Sequence, residues 1–143
     1  PDAPTLIKCL LKKMEHIGIA VSDLEAAIKT YAAVMGKPHY KTEAVLSEGV
    51  NTSFFEIGES KIELLAATSA DSAIAKSILK RGEGIHHIAF AVDDIEAEIN
   101  RLKNEGFRLL NEQPKQGADS KLVAFMHPKD ANGVLIELCQ EIR

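Results

Sequence analysis

The chain has 143 residues, 45% of them hydrophobic and 27% charged, the composition of one ordinary globular domain able to bury a core without staples. Its formal net charge of -4 excludes a general polyanion binder, and 5% aromatics with no Trp exclude a surface built to stack single-stranded bases. No apolar run approaches the roughly 20 residues of a membrane span. Two cysteines, Cys9 and Cys139, cannot build a disulfide framework, so a reducing compartment is expected: the cytoplasm, or the mitochondrial matrix in a eukaryote.

Residues 1–13 read as an N-terminal extension and 14–143 as a single domain. In chain order, 14–21 alternates and is rich in β-branched residues, which predicts a strand. Ser22 then caps a helix, with Glu25 completing a capping box. Leu24, Ile28, Tyr31 and Met35 recur at helical spacing as core residues, and Gly36 ends the helix. Strands follow at 40–46, 50–57 and 61–66, separated by turn signals at Glu48-Gly49 and Gly58-Glu59. An Ala-rich segment with an apolar stripe predicts a linker helix near 70–80. Strand 85–92 leads to a helix capped by Asp93 with Glu96 and ended near Gly106. Strands at 107–111, 122–126 and 134–140 complete the chain.

The chain repeats itself. HIGIAVSDLE at 16–25 and HIAFAVDDIE at 87–96 share six of ten positions, and KIELLA at 61–66 is echoed by VLIELCQ at 134–140. His16 precedes Glu63 by 47 residues and His87 precedes Glu137 by 50, so the two units run in register with a net insertion of three. The expected fold is α+β, with two tandem β-α-β-β-β modules spanning 14–67 and 85–140.

Four polar residues fall where the core should be. Glu63 and Glu137 lie inside apolar strands, where a carboxylate is costly to bury unless it is paired, protonated or bound to metal. A histidine opens the first strand of each module. Pseudo-symmetric modules converge His16, Glu63, His87 and Glu137 near one axis, a His₂Glu₂ set suited to divalent Zn, Co, Mn or Ni. Four donors leave two positions of an octahedron open for substrate oxygens, as Lewis-acid catalysis requires. Neighbours in a strand point to opposite faces, so His86 is expected away from the site that holds His87.

The paired modules with a first-strand His and a last-strand Glu resemble the vicinal-oxygen-chelate (glyoxalase/bleomycin resistance/dioxygenase) superfamily. Within it the chain is most similar to the methylmalonyl-CoA epimerases, on MEHIGIAV at 14–21, GIHHIAF at 84–90, His127-Pro128-Lys129 and GVLIEL at 133–138. The resemblance covers nearly all of 14–140. It implies a vicinal-oxygen-chelate fold and a racemase/epimerase that interconverts the R and S forms of methylmalonyl-CoA by 1,1-proton transfer at C2 through a metal-stabilised enolate. It also implies that Glu137, ligand and neighbour of the reacting carbon, is one acid/base. The second is a glutamate in the turn before the third strand. Counting back from Glu63 with Val50 as anchor puts that position at Ser47, and Glu48, one place later, takes the role.

The implied partner is an acyl-CoA, with Lys115, Lys121, Lys129 and Arg108 as candidates for its phosphates, and a homodimer is expected. Met14 and Met126 read as core. Two other readings share the fold. A glyoxalase I-type lactoylglutathione lyase would show the same four ligands, and a metal-free small-molecule-binding protein would commonly have lost them.

Overall fold

The computed structural model describes residues 10–142. Cys9 and the first nine residues of the extension expected over 1–13 lie outside the described residues. Lys13 already belongs to the first strand.

The elements in chain order are β1 (Lys13–Ala20), α1 (Leu24–Met35), β2 (Lys41–Val45), β3 (Val50–Ile57), β4 (Ser60–Ala67), α2 (Ala73–Arg81), β5 (Gly84–Ala91), α3 (Ile95–Asn104), β6 (Lys115–Gln116), β7 (Lys121–Met126) and β8 (Ile136–Glu141). Short 3-10 turns, Leu46–Glu48 and Pro128–Ala131, precede β3 and β8. All eight strands join one mixed sheet in the order β2-β3-β4-β1-β5-β8-β7-β6, curled into a half-barrel. The order reads the same from both ends. β1 and β5 are antiparallel at the centre, β4 lies parallel to β1, and β8 lies parallel to β5. This is the tandem β-α-β-β-β arrangement of the vicinal-oxygen-chelate fold. No helix among the described residues is long and apolar enough to cross a membrane.

Both module helices start one residue later than their capping boxes indicate. Asp23 and Asp94, not Ser22 and Asp93, accept from the backbone N–H groups of Ala26 and Ala97. Ser22 instead donates its backbone N–H to Glu83, which ties the start of α1 to the segment before β5. Gly36 ends α1 at φ 69°, the left-handed conformation a glycine adopts without cost. The strand expected at 107–111 is a correction. That segment makes one isolated bridge, Leu109 to Met126, and the strand paired with β7 is the two-residue β6. Pro114 and Gly117 bracket β6 and leave it no room to extend.

α1 and α3 each cover the outer face of their own half-sheet, whereas α2 packs Ile74 on Ala20, Val50 and Leu65. Leu24, Ile28, Tyr31 and Met35 of α1 pack on Val21, Phe55, Leu64 and Ala66, as their spacing indicates. Ile95, Ile99 and Leu102 of α3 pack with Val92, Ala124 and Leu138. The other face of the sheet carries both apolar residues and the four polar ones. Met126 is buried, but Met14 is 42% exposed and is not core. Phe55 is fully buried under α1. Phe55→Ala should cost about 3–5 kcal/mol, read as a drop in the urea midpoint at unchanged slope.

Candidate active site

Strand register explains how four distant residues meet. Across the central strands, Glu63 on β4, Gly18 on β1 and His87 on β5 form one row. His16 on β1, Ala89 on β5 and Glu137 on β8 form the next. The rows are images of each other under exchange of the modules. In both, the residue between the carboxylate and the imidazole is small. A Cβ on Gly18 would stand 2.2 Å from Cε1 of His87, so glycine there makes room for the ring. Gly18→Ala should leave the sheet folded yet displace His87. We expect a metal affinity about 10–100-fold weaker by chelator competition, with little change in circular dichroism.

All four side chains are nearly fully buried and line one cavity of about 270 Å³. The Nε2 atoms of His16 and His87 are 2.9 Å apart. Glu137 places its oxygens 3.4 Å from His16 Nε2 and 3.5 Å from His87 Nε2. Donors bound to one ion at about 2.1 Å sit about 3 Å apart when adjacent, so this trio has the spacing of a coordination set. Its two imidazoles and one carboxylate suit a divalent transition ion. Glu63 approaches His16 from the other ring edge, 3.0 Å from Nδ1, and stands beside the trio rather than within it.

Burial raises the Glu63 carboxyl, and it pushes Glu137 up to about 7, with the charge of His16 opposing and that of Glu63 adding. Burial disfavours the charged form of His16 too, yet the hydrogen bond to Glu15 and the charges of Glu63, Glu137 and Glu15 outweigh it and raise its pKa. His87 is driven well down by burial and by the neighbouring His16 and His86. The surroundings thus favour the charged form on His16 and oppose it on His87.

Glu48, in the turn before β3, lines the same cavity, while Ser47 is exposed. Of the two positions weighed by counting, the turn presents Glu48. Lys115 Nζ of β6 holds it at 2.6 Å, so the two walls of the cavity meet in an ion pair between modules. Of the other cations, Lys121 lines the cavity, Lys129 is exposed on the turn before β8, and Arg108 is engaged in a two-nitrogen pair with Asp130. Thr52, on the cavity wall, has the only buried side-chain polar atom among the described residues with no hydrogen-bond partner.

His86 is a second correction. It lines the cavity with His87, and the two Nδ1 atoms are 2.9 Å apart. The alternation rule fails because the β1–β5 ladder skips His86, a bulge that aims two consecutive side chains the same way. Sequence reasoning also missed Glu15, 3.1 Å from His16 Nδ1. It is the start of a charged chain. Lys61 binds Glu15 at 3.1 Å and also pairs with Asp119, which holds Lys41 at 2.6 Å. Burial opposes the Glu15 carboxylate, but His16 and Lys61 hold it down at about 2. Asp119 and Ser120 both have positive φ, 58° and 53°, in the turn joining β6 to β7. That turn is costly for these residues, and the lysines of the other module hold it in place. The repeat carried one usable signal: Glu15 and His86 are the residues before the matched histidines.

Residues 15–125 match the profile of the Glyoxalase/Bleomycin resistance protein/Dioxygenase superfamily. The chain is 41% identical over 133 residues to an ethylmalonyl-CoA/methylmalonyl-CoA epimerase of Cereibacter sphaeroides, covering 92% of this chain and 99% of that protein. It is 40% identical over 131 residues to the mitochondrial methylmalonyl-CoA epimerase of Homo sapiens, covering 91% and 74%. A solved Streptomyces coelicolor methylmalonyl-CoA epimerase variant, in complex with 2-nitronate-propionyl-CoA, superposes with a TM-score of 0.88 at 38% identity, covering 92% of this chain and 95% of that one.

Proposed function

The chain belongs to the glyoxalase/bleomycin resistance protein/dioxygenase superfamily, and on that footing we propose that it is an epimerase interconverting the R and S forms of methylmalonyl-CoA. The observation that carries the reading is the placement of two carboxylates, Glu48 and Glu137, on the walls of one cavity that also holds two imidazoles. Inversion at C2 needs a proton acceptor on one face of the carbon and a donor on the other. Glu137, buried on the cavity wall beside His16 and His87, is the acid/base of one face. Glu48, on the partly open side of the cavity, is its counterpart. Lys115 pairs with Glu48 and offers a cation to the substrate carboxylate.

His16, His87 and Glu137 would hold the divalent ion, and Glu63 would turn from His16 Nδ1 toward it to serve as the fourth donor. Zn, Co, Mn and Ni fit this donor set better than Ca or Mg. A bound cation supplies stabilisation of the negative charge that develops on the thioester oxygen when the C2 proton leaves. Apolar residues such as Phe125, Leu135 and Val123 line the same cavity and limit water at the reacting carbon. The reading includes a homodimer in a reducing compartment, the cytoplasm or, in a eukaryote, the mitochondrial matrix. Because the HPK and GVLIEL segments distinguish the chain from glyoxalase I, a glutathione hemithioacetal is the weaker candidate.

The test is C2 proton exchange in D₂O with methylmalonyl-CoA, with added Co²⁺ and in parallel with chelator. Rapid deuterium incorporation that depends on metal is the expected result. No exchange by the fully loaded protein would overturn the reading and redirect the search to glutathione hemithioacetals.

A further inference from the structure

Each module carries a break in its ladder at the same place. β1 skips Glu15 between Met14, opposite Phe90, and His16, opposite Ala89. β5 skips His86 between Ile85, opposite Ile19, and His87, opposite Gly18. A bulge inserts one unpaired residue and re-aims its side chain. Both bulged residues end on the same atom of the histidine that follows. Glu15 Oε1 lies 3.1 Å from His16 Nδ1, and His86 Nδ1 lies 2.9 Å from His87 Nδ1. Two unrelated side chains thus make the same contact in both halves of the repeat.

The two Nε2 atoms that face each other at 2.9 Å can both bind an ion only if both carry a lone pair. Each neutral ring must then keep its single proton on Nδ1, and in a buried site that proton needs an acceptor. We propose that Glu15 and His86 are the positioning residues that accept the Nδ1 protons of His16 and His87, locking both rings in the tautomer that turns Nε2 toward the ion. The assignment rests on reading His16, His87 and Glu137 as a metal centre.

Glu63 also reaches His16 Nδ1, but it lines the cavity and is free to serve the ion. Glu15 opens on a different hollow, beside Lys12 and Glu141, and Lys61 pins it there. It remains on Nδ1 whatever Glu63 does. For His86 to accept, its own proton must sit on Nε2.

The experiment uses Zn²⁺ as probe and needs no substrate. In the unaltered chain labelled with ¹⁵N at histidine, long-range ¹H–¹⁵N correlations of the Zn²⁺-loaded protein should show His16 and His87 protonated on Nδ1 and His86 on Nε2. Zn²⁺ titrated against a chromophoric chelator should bind Glu15→Ala and His86→Ala about 10–100-fold more weakly. Glu15→Gln keeps an accepting oxygen and should stay within about threefold of the unaltered chain. His87 protonated on Nε2 in the loaded protein would overturn the proposal. So would alanine variants that fold by circular dichroism and bind Zn²⁺ as tightly as the unaltered chain. Failure of the unaltered chain to bind Zn²⁺ would overturn the metal centre and the assignment with it. Turnover of methylmalonyl-CoA enters neither readout, so the fate of the epimerase reading is decided separately.

Discussion

Glu137→Gln should abolish both epimerisation and C2 exchange, lowering each by about 10³-fold or more even at saturating metal. Two losses combine at this position. The amide cannot carry a proton to or from carbon, and it is a weaker donor than a carboxylate to an ion shared with His16 and His87. The fold should survive, because Gln fills the same volume and relieves a buried acid held far above its usual pKa. Measuring exchange at increasing metal concentration separates the two losses, since only the ligand defect is repaired by excess ion. The raised carboxyl also gives the unaltered protein a pH signature. Protons compete with the ion for Glu137 and for His16, whose pKa is also raised, so metal affinity should fall as pH drops below about 7, by about tenfold per unit for each proton displaced.

Glu48→Gln should separate what Glu137→Gln removes together. With one acid/base gone, epimerisation should drop by about 10²–10⁴-fold. Glu137 remains on its own face of the carbon, so one epimer should still exchange its C2 proton with D₂O without inverting. Following deuterium incorporation and chirality in the same sample reads both. Equal loss of exchange for both epimers would remove Glu48 from the two-base scheme. Retained epimerisation would assign the second proton to another group on the cavity wall.

The sequence repeat carried most of the architecture, because matched hydrophobic patterns around His16 and His87 locate two equivalent strands without any knowledge of contacts. Register then followed from pairing. Glu63 and His87 both align with Gly18, a relation no single strand reveals. What the pattern hid has a common cause. Rules of period two assume an unbroken ladder, and both first strands are broken, so His86 falls on the wrong face and Glu15 escapes notice. The helix caps were misplaced by one because Ser22-Asp23 and Asp93-Asp94 each offer two good caps in succession. The apolar residues of 107–111, Phe107, Leu109 and Leu110, suggest a strand, yet only Leu109 makes a bridge. Beyond that bridge the pairing with β7 falls at Lys115 and Gln116, between Pro114 and Gly117. The clasp of Asp119 on Lys41 and Lys61 is long-range and left no local trace.

The antiparallel pairing of β1 with β5 has a consequence for how such a centre is inherited. Each half contributes one imidazole and one carboxylate, and the seam between the halves is where the four come together. Neither half owns the reaction centre, so it exists only as a property of their docking. Substitutions in the outer loops can then diverge independently on the two sides while the seam stays fixed. The walls already differ: a 3-10 turn bears Glu48 on one side and a two-residue strand bears Lys115 on the other.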